Sequence, residues 1–201
     1  MATMWKKFVL AFMLAVSLGG CGYNAMQSQD EAANAAWSEV LNQYQRRADL
    51  IPNLVKTVQG YAKHEKDVLT QVTEARARVG SIHMDADSAG DEGKMKAFSA
   101  AQSQLGSALS RLLVVSENYP QLKADQSFRD LQAQLEGTEN RIALARKRYI
   151  DSVQHYNSTV RSFPNNLTAK MFNLKTRPNF AVENEKAISA PPQVSFDEQG
   201  K

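Results

Sequence analysis

Trp37-Ser38-Glu39-Val40-Leu41-Asn42-Gln43-Tyr44-Gln45-Arg46-Arg47-Ala48-Asp49-Leu50-Ile51-Pro52-Asn53-Leu54-Val55 is the stretch on which the fold turns. Taking every seventh residue from Trp37 gives Trp37, Tyr44, Ile51, Val58, Glu65, Val72 and Val79. Companion rows read Leu41, Ala48, Val55, Ala62, Leu69 and Val40, Leu54, Tyr61, Val68. An apolar stripe this wide is the mark of an amphipathic helix buried on two sides rather than of a narrow coiled-coil seam. Pro52 interrupts the run, and an interior proline removes one hydrogen bond and clashes with the carbonyl four residues back, at about 3 kcal/mol or more. Two antiparallel helices would accommodate it, but the heptad phase passes unchanged from Tyr44 through Ile51 to Val58. Proline at the first helical position would leave Ile51 as a poor cap. The pattern therefore predicts one helix from Asp30 to about Val79, kinked near Pro52 and about 75 Å long at ~1.5 Å per residue.

Downstream, Gly80 to Gly93 is the clearest loop. A second helix follows from about Glu92 to Asn118, with Met95, Phe98, Ala101, Leu105, Leu109, Leu112 and Val115 on its buried side. Pro120 stops it by biasing Tyr119 away from helical angles. A third helix opens near Asp125, capped by Asp125 or Ser127, and carries Phe128, Leu131, Leu135, Ile142, Ala145, Tyr149, Val153, Tyr156, Val160 and Phe163 inward. It ends at Pro164-Asn165, after which Asn165 or Asn166 caps a short fourth helix through Met171 and Phe172. The expected fold is all-α: an antiparallel up-and-down bundle of three long helices and a short fourth, spanning residues 30–174. Residues 175–201, with Pro178, Pro191 and Pro192, read as an extended, mostly mobile tail.

The N-terminus predicts where the protein resides. Lys6 and Lys7 precede an apolar run from Phe8 to Val16, then Ser17-Leu18-Gly19-Gly20 and the chain's single cysteine, Cys21. A basic start, a short apolar core and small residues make a secretory signal peptide over residues 1–20. Leu18-Gly19-Gly20-Cys21 resembles a bacterial lipobox, in which the cysteine is diacylated and becomes the new N-terminus. A membrane-spanning helix needs roughly 17–25 apolar residues, whereas Phe8 to Gly20 has 13. Attachment is thus expected through lipid on Cys21, with residues 21–29 as a tether, since two or more acyl chains anchor a protein stably. An aspartate after the cysteine would resemble an inner-membrane retention signal, but Gly22 and Tyr23 stand there.

Charge and chemistry narrow the function. Removing Lys6 and Lys7 lowers the formal charge from +3 to about +1, which gives no reason to expect nucleic acid. Arg46-Arg47 and Arg146-Lys147-Arg148 have interleaved acids and no aromatic stacking pattern, and read as solvated helix faces. His64, His83 and His155 are the only histidines. His64-Glu65-Lys66-Asp67-Val68 has valine where a zinc protease needs its second histidine. No nucleophile elbow or phosphate-cradling loop is present, so no catalytic residue, metal ligand or cofactor is assigned. Polar residues do fall on buried rows. Glu65 shares the row of Ile51, Val58 and Val72, and Thr138 sits among Leu131, Leu135 and Ile142. A buried charge needs a partner, so either a buried polar network of Glu65 with Asn140 and Arg141 of the third helix is expected, with a role in helix register, or Glu65 rotates to the bundle edge and stays in water.

The blocks are specific enough to carry a family resemblance. The opening stretch and its continuation Val58-Gln59-Gly60-Tyr61-Ala62-Lys63-His64-Glu65 closely resemble the first conserved segment of the LemA family. Glu117-Asn118-Tyr119-Pro120-Gln121-Leu122-Lys123-Ala124, then Phe128 to Arg146 with Glu136-Gly137-Thr138-Glu139-Asn140-Arg141-Ile142, and Tyr156-Asn157 followed by Phe163-Pro164, resemble the later ones in order. The resemblance covers residue 30 to about 172. It implies a helical up-and-down bundle attached to a bacterial membrane, outside the cytoplasm, and no settled activity. The short apolar stretch ending in a cysteine departs from the uncleaved N-terminal membrane helix of many members.

These readings converge on a non-enzymatic, lipid-anchored scaffold of the cell envelope that binds another envelope component through the Arg46-Arg47 region, the Gly80 to Gly93 loop or the proline-containing tail. The alternatives are a metal-dependent or other envelope hydrolase, which stoichiometric bound metal would reveal, and a self-associating structural protein.

Overall fold

The computed structural model describes residues 2–85 and 87–180, with the side chains of residues 2, 3, 5–21 and 87 outside the description. Every regular element among the described residues is helical: α1 (Ala2–Tyr61), α2 (Lys66–Ser81), α3 (Glu92–Ser116), α4 (Pro120–Ala124), α5 (Gln126–Arg161) and α6 (Asn165–Met171), with a 3-10 turn at Asp87–Gly90. The side chain of Cys21, the side chains of most of the signal-peptide segment and the tail beyond Phe180 lie outside the described residues.

The single helix expected from Asp30 to Val79 is two. Pro52 stays inside α1, and the break falls at residues 62–65, ten residues later. Gly60, costing about 1 kcal/mol relative to alanine in a helix, weakens the last turn of α1. Ala62, fully buried, packs into the core where the chain turns, and the Glu65 N–H closes the turn on the Ala62 carbonyl at 3.1 Å. Asp67 in the first turn of α2 complements its dipole. The heptad rows resume in α2 because both arms show an apolar face to the same core: Val58, Val72 and Val79 are all buried.

Cross-helix partners set the arrangement. Along α1 and α5, Tyr61 bonds Asp125, Arg47 bonds Glu139 and Trp37 stacks on Tyr149, so partners on α5 fall in number as those on α1 rise. On α2 and α3, Gln71 meets Arg111 and Arg78 meets Gln104 in the same inverse order. Between α1 and α3 the order is direct: Phe98 packs on Trp37 and Tyr44, and Gln102 reaches Arg47. A main core results, with Trp37, Ile51, Leu54, Val58, Leu105, Leu112 and Tyr149 within it almost wholly removed from water, beside a smaller cluster of Met26, Tyr156, Val160 and Ala169. Each such aliphatic or phenyl side chain contributes about 1.5–3 kcal/mol.

Several boundaries agree with the residue pattern. Asp125 caps α5, accepting from the Phe128 N–H at 2.9 Å, and Asp91 caps α3 by accepting from the Lys94 N–H at 3.0 Å. Others are corrected. Pro120 does open a short helix, α4, because proline is suited to the first helical position. Residues 22–29 are not a tether: α1 runs through them, and Met26 is buried with Tyr156, Val160 and Ala169. Gly22 permits this closeness, since an added Cβ would lie 2.5 Å from Asn165 Oδ1. Phe163, expected inward, is 80% exposed beyond the end of α5. The start of the tail folds back: Arg177 makes a two-pronged pair with Asp30 at 2.7 and 2.9 Å, and Asn157 holds the Arg177 backbone at both its N–H and its carbonyl.

Candidate functional site

The centre of the molecule holds one charged side chain that the residue pattern placed on a solvated face. Arg47 is 4% exposed. Its guanidinium donates to Glu139 Oε1 at 2.6 Å and to both the side-chain and backbone oxygens of Gln102. It also lies 5.1 Å from the centre of the Tyr44 ring, a cation–π contact strengthened by burial. Three helices thus meet on one residue: α1 supplies Arg47, α3 Gln102 and α5 Glu139. Arg46, its neighbour, stays exposed.

Arginine keeps its proton throughout the ordinary pH range and so serves neither as acid nor as base. What this fork can do is fix three helices in relative register. Glu139 is half-exposed, which limits the desolvation the pair must overcome. Arg47 Nε and Gln102 Nε2 find no partner among the described residues. Burial pushes the Tyr44 hydroxyl above its usual ionisation range, with Arg146 and Arg47 opposing. Thr138 is fully buried one residue from Glu139 and turns its hydroxyl onto the Gln134 carbonyl at 2.7 Å, which satisfies it within its own helix.

The expected network of Glu65, Asn140 and Arg141 is not brought together. Glu65 sits at the α1–α2 turn, half-buried, and accepts from the Tyr119 hydroxyl at 3.0 Å. Asn140 and Arg141 are exposed on α5. The helix break explains the difference, since it lifts Glu65 off the heptad row and carries it to the end of the molecule. Tyr61 and Asp125 make a second tyrosine–carboxylate bond at that end, at 2.9 Å.

An aromatic seam continues from Arg47 towards the tail. Phe180 lies 5.6 Å from Trp37 and 5.5 Å from Tyr149, with the Arg146 guanidinium 4.7 Å above its ring. The Trp37 Nε1–H donates to the Asp85 carbonyl of the α2–α3 loop at 3.0 Å, and Ser88 holds the Asp85 carboxyl below the usual carboxylate range. Part of each surface suggested for a partner is engaged internally: Arg47 points inward while Arg46 stays exposed, the loop's Asp85 carbonyl holds the Trp37 indole, and Phe180 packs on Trp37 and Tyr149. A groove of about 380 Å³ between α2 and α3 is lined by Gln71, Ala75, Arg78, Gln104, Ala108 and Arg111 among others. His64 and His83 are exposed, and among the described residues no three His, Cys, Asp or Glu side chains converge on one point.

Comparison with known proteins places these features in context. The LemA family model matches residues 36–196. Magnetosome protein MamQ of Magnetospirillum gryphiswaldense is 28% identical over 158 residues, covering 71% of this chain and 58% of that protein. Magnetosome protein MamQ 2 of Paramagnetospirillum magneticum is 27% identical over 174 residues, covering 79% and 64%. Protein LemA of Metamycoplasma hominis is 25% identical over 172 residues, covering 83% and 74%. The matched region therefore spans about three-fifths of the length of the magnetosome relatives.

Proposed function

The chain belongs to the LemA family, and from that premise we propose that it is a non-enzymatic scaffold of the bacterial cell envelope. In this reading it is an antiparallel up-and-down helical bundle, held at a membrane by lipid on Cys21 and facing outside the cytoplasm, with an envelope component as its partner. The observation that carries the reading is the sequence from Lys6 to Cys21: a basic start, a short apolar run and small residues end on the chain's one cysteine. Among the described residues no helix is long and apolar enough to cross a membrane. The interior supports a scaffold, because its buried charge is spent on joining three helices.

Replacing Cys21 tests the anchor. Cys21→Ser should change the protein's gel mobility and weaken its hold on the membrane fraction of the expressing bacterium, with its helical content unchanged. A Cys21→Ser protein that stays membrane-bound with unaltered gel mobility would overturn lipid anchoring.

A further inference from the structure

We propose that α6 and its flanks form a second membrane contact, a cationic and apolar surface that lies in the headgroup region of an anionic bilayer. The proposal rests on the membrane attachment argued above and adds a site to it. Ala169 packs α6 inward, against the cluster containing Met26, Tyr156 and Val160. Other apolar side chains of this segment are exposed: Leu167 is 59% exposed, Met171 74% and Phe172 50%, and Phe163, four residues before Leu167, is exposed as well. Exposed apolar residues grouped in this way mark an interaction site, whereas scattered ones need no explanation.

Charge and position select the occupant. Residues 161–176 contain Arg161, Lys170 and Lys175 and no aspartate or glutamate, and all three cations are exposed. Apolar side chains flanked by cations suit the boundary between phosphates and acyl chains. The patch also sits at the end of the molecule from which α1 leads back to Cys21. The Phe172 and Tyr23 rings are 4.6 Å apart, and Cys21 precedes Tyr23 by only two residues of the same helix, about 3 Å along the axis. A bilayer that receives the N-terminus lies within reach of α6.

The test uses the full chain with phosphatidylcholine–phosphatidylglycerol vesicles, with or without brominated acyl chains. Leu167→Trp and Met171→Trp each introduce a reporter at an exposed site. Val114→Trp provides a control at an equally exposed site at the other end of the molecule. The wild-type chain should float with the vesicles. Emission added by Leu167→Trp and Met171→Trp should be lost in brominated vesicles, and less is lost when phosphatidylglycerol is omitted; emission added by Val114→Trp should be unchanged. Flotation without selective quenching at 167 and 171 overturns the surface and leaves the anchor standing. A wild-type chain that does not float overturns both. Shielding of position 167 from an aqueous quencher without quenching by brominated lipid would assign the patch to a protein partner, and so overturns the proposal too.

Discussion

Arg76 donates its Nε–H to the backbone carbonyl of Ala48 at 3.0 Å, the carbonyl that Pro52, four residues on, leaves without a helical donor. The proline is tolerated inside α1 because α2 folds back and supplies the missing hydrogen bond from a side chain. Sequence and topology are coupled here: the defect in one helix is repaired by the position of the next.

The coupling is measurable by a double-mutant cycle. Arg76→Leu should lower stability by about 1 kcal/mol, the cost of a half-buried acceptor left unpaired. In a Pro52→Ala background, where residue 52 can donate to Ala48 itself, the same change should cost only a few tenths of that. Urea titration of the four proteins checks it, and equal losses in both backgrounds would disprove the repair.

The three-helix fork makes a second prediction. Gln102→Leu should destabilise by about 2 kcal/mol, because it leaves the Arg47 guanidinium buried with one acceptor fewer. Adding Arg47→Met removes the charge that needs the acceptor, so the double variant should lose clearly less than the two single losses combined. Urea midpoints decide the matter: agreement with simple addition to within ~0.5 kcal/mol would show that the residues act independently.

Phe180 should report on the tail. Phe180→Ala should cost about 1–2 kcal/mol, below the value for a fully enclosed phenyl because the ring is partly exposed. It should also shift Trp37 emission to the red by admitting water to the indole. An unchanged spectrum and melting temperature would mean that the tail does not cover Trp37 in solution.

Much of this was legible in the residues, and the failures have physical causes. The Gly80–Gly93 loop, the Asp125 cap and the short helix through Met171 follow from local chemistry that acts within a few residues. The break at 62–65 escaped because a heptad row cannot distinguish one long helix from two arms of a hairpin facing one core. Arg47 left a trace that was passed over: the row Val40, Leu54, Tyr61, Val68 skips one place, and position 47 fills it. Its partners lie 55 and 92 residues away, and spacing alone does not reveal such pairs. The expected Glu65 network failed for the same reason as the long helix. The packing of residues 177–180 did not follow from the sequence, because prolines and scattered apolar residues read as unstructured until the surface that receives Phe180 is known.

Alkaline pH supplies a fourth test. Burial pushes the Tyr149 hydroxyl from its ordinary value near 10.0 up to about 12, Arg177 opposing; the hydroxyl lies 3.4 Å from the Pro178 carbonyl. The unfolded chain therefore loses this proton before the folded one, and stability held below pH 10 must fall as pH rises towards 12. Tyr149→Phe should flatten part of that decline, and Tyr44, shifted in the same direction, also contributes to it. A slope identical in Tyr149→Phe and wild type, by urea titration across this range, would contradict the assignment.

The most direct test of the central claim is the intact mass of the wild-type protein extracted from the membranes of a bacterium that expresses it. The predicted species begins at Cys21, lacks residues 1–20 and carries the added mass of a diacylglyceryl group. A protein that retains residues 1–20, or one that begins at Cys21 with no added mass, would contradict lipid anchoring.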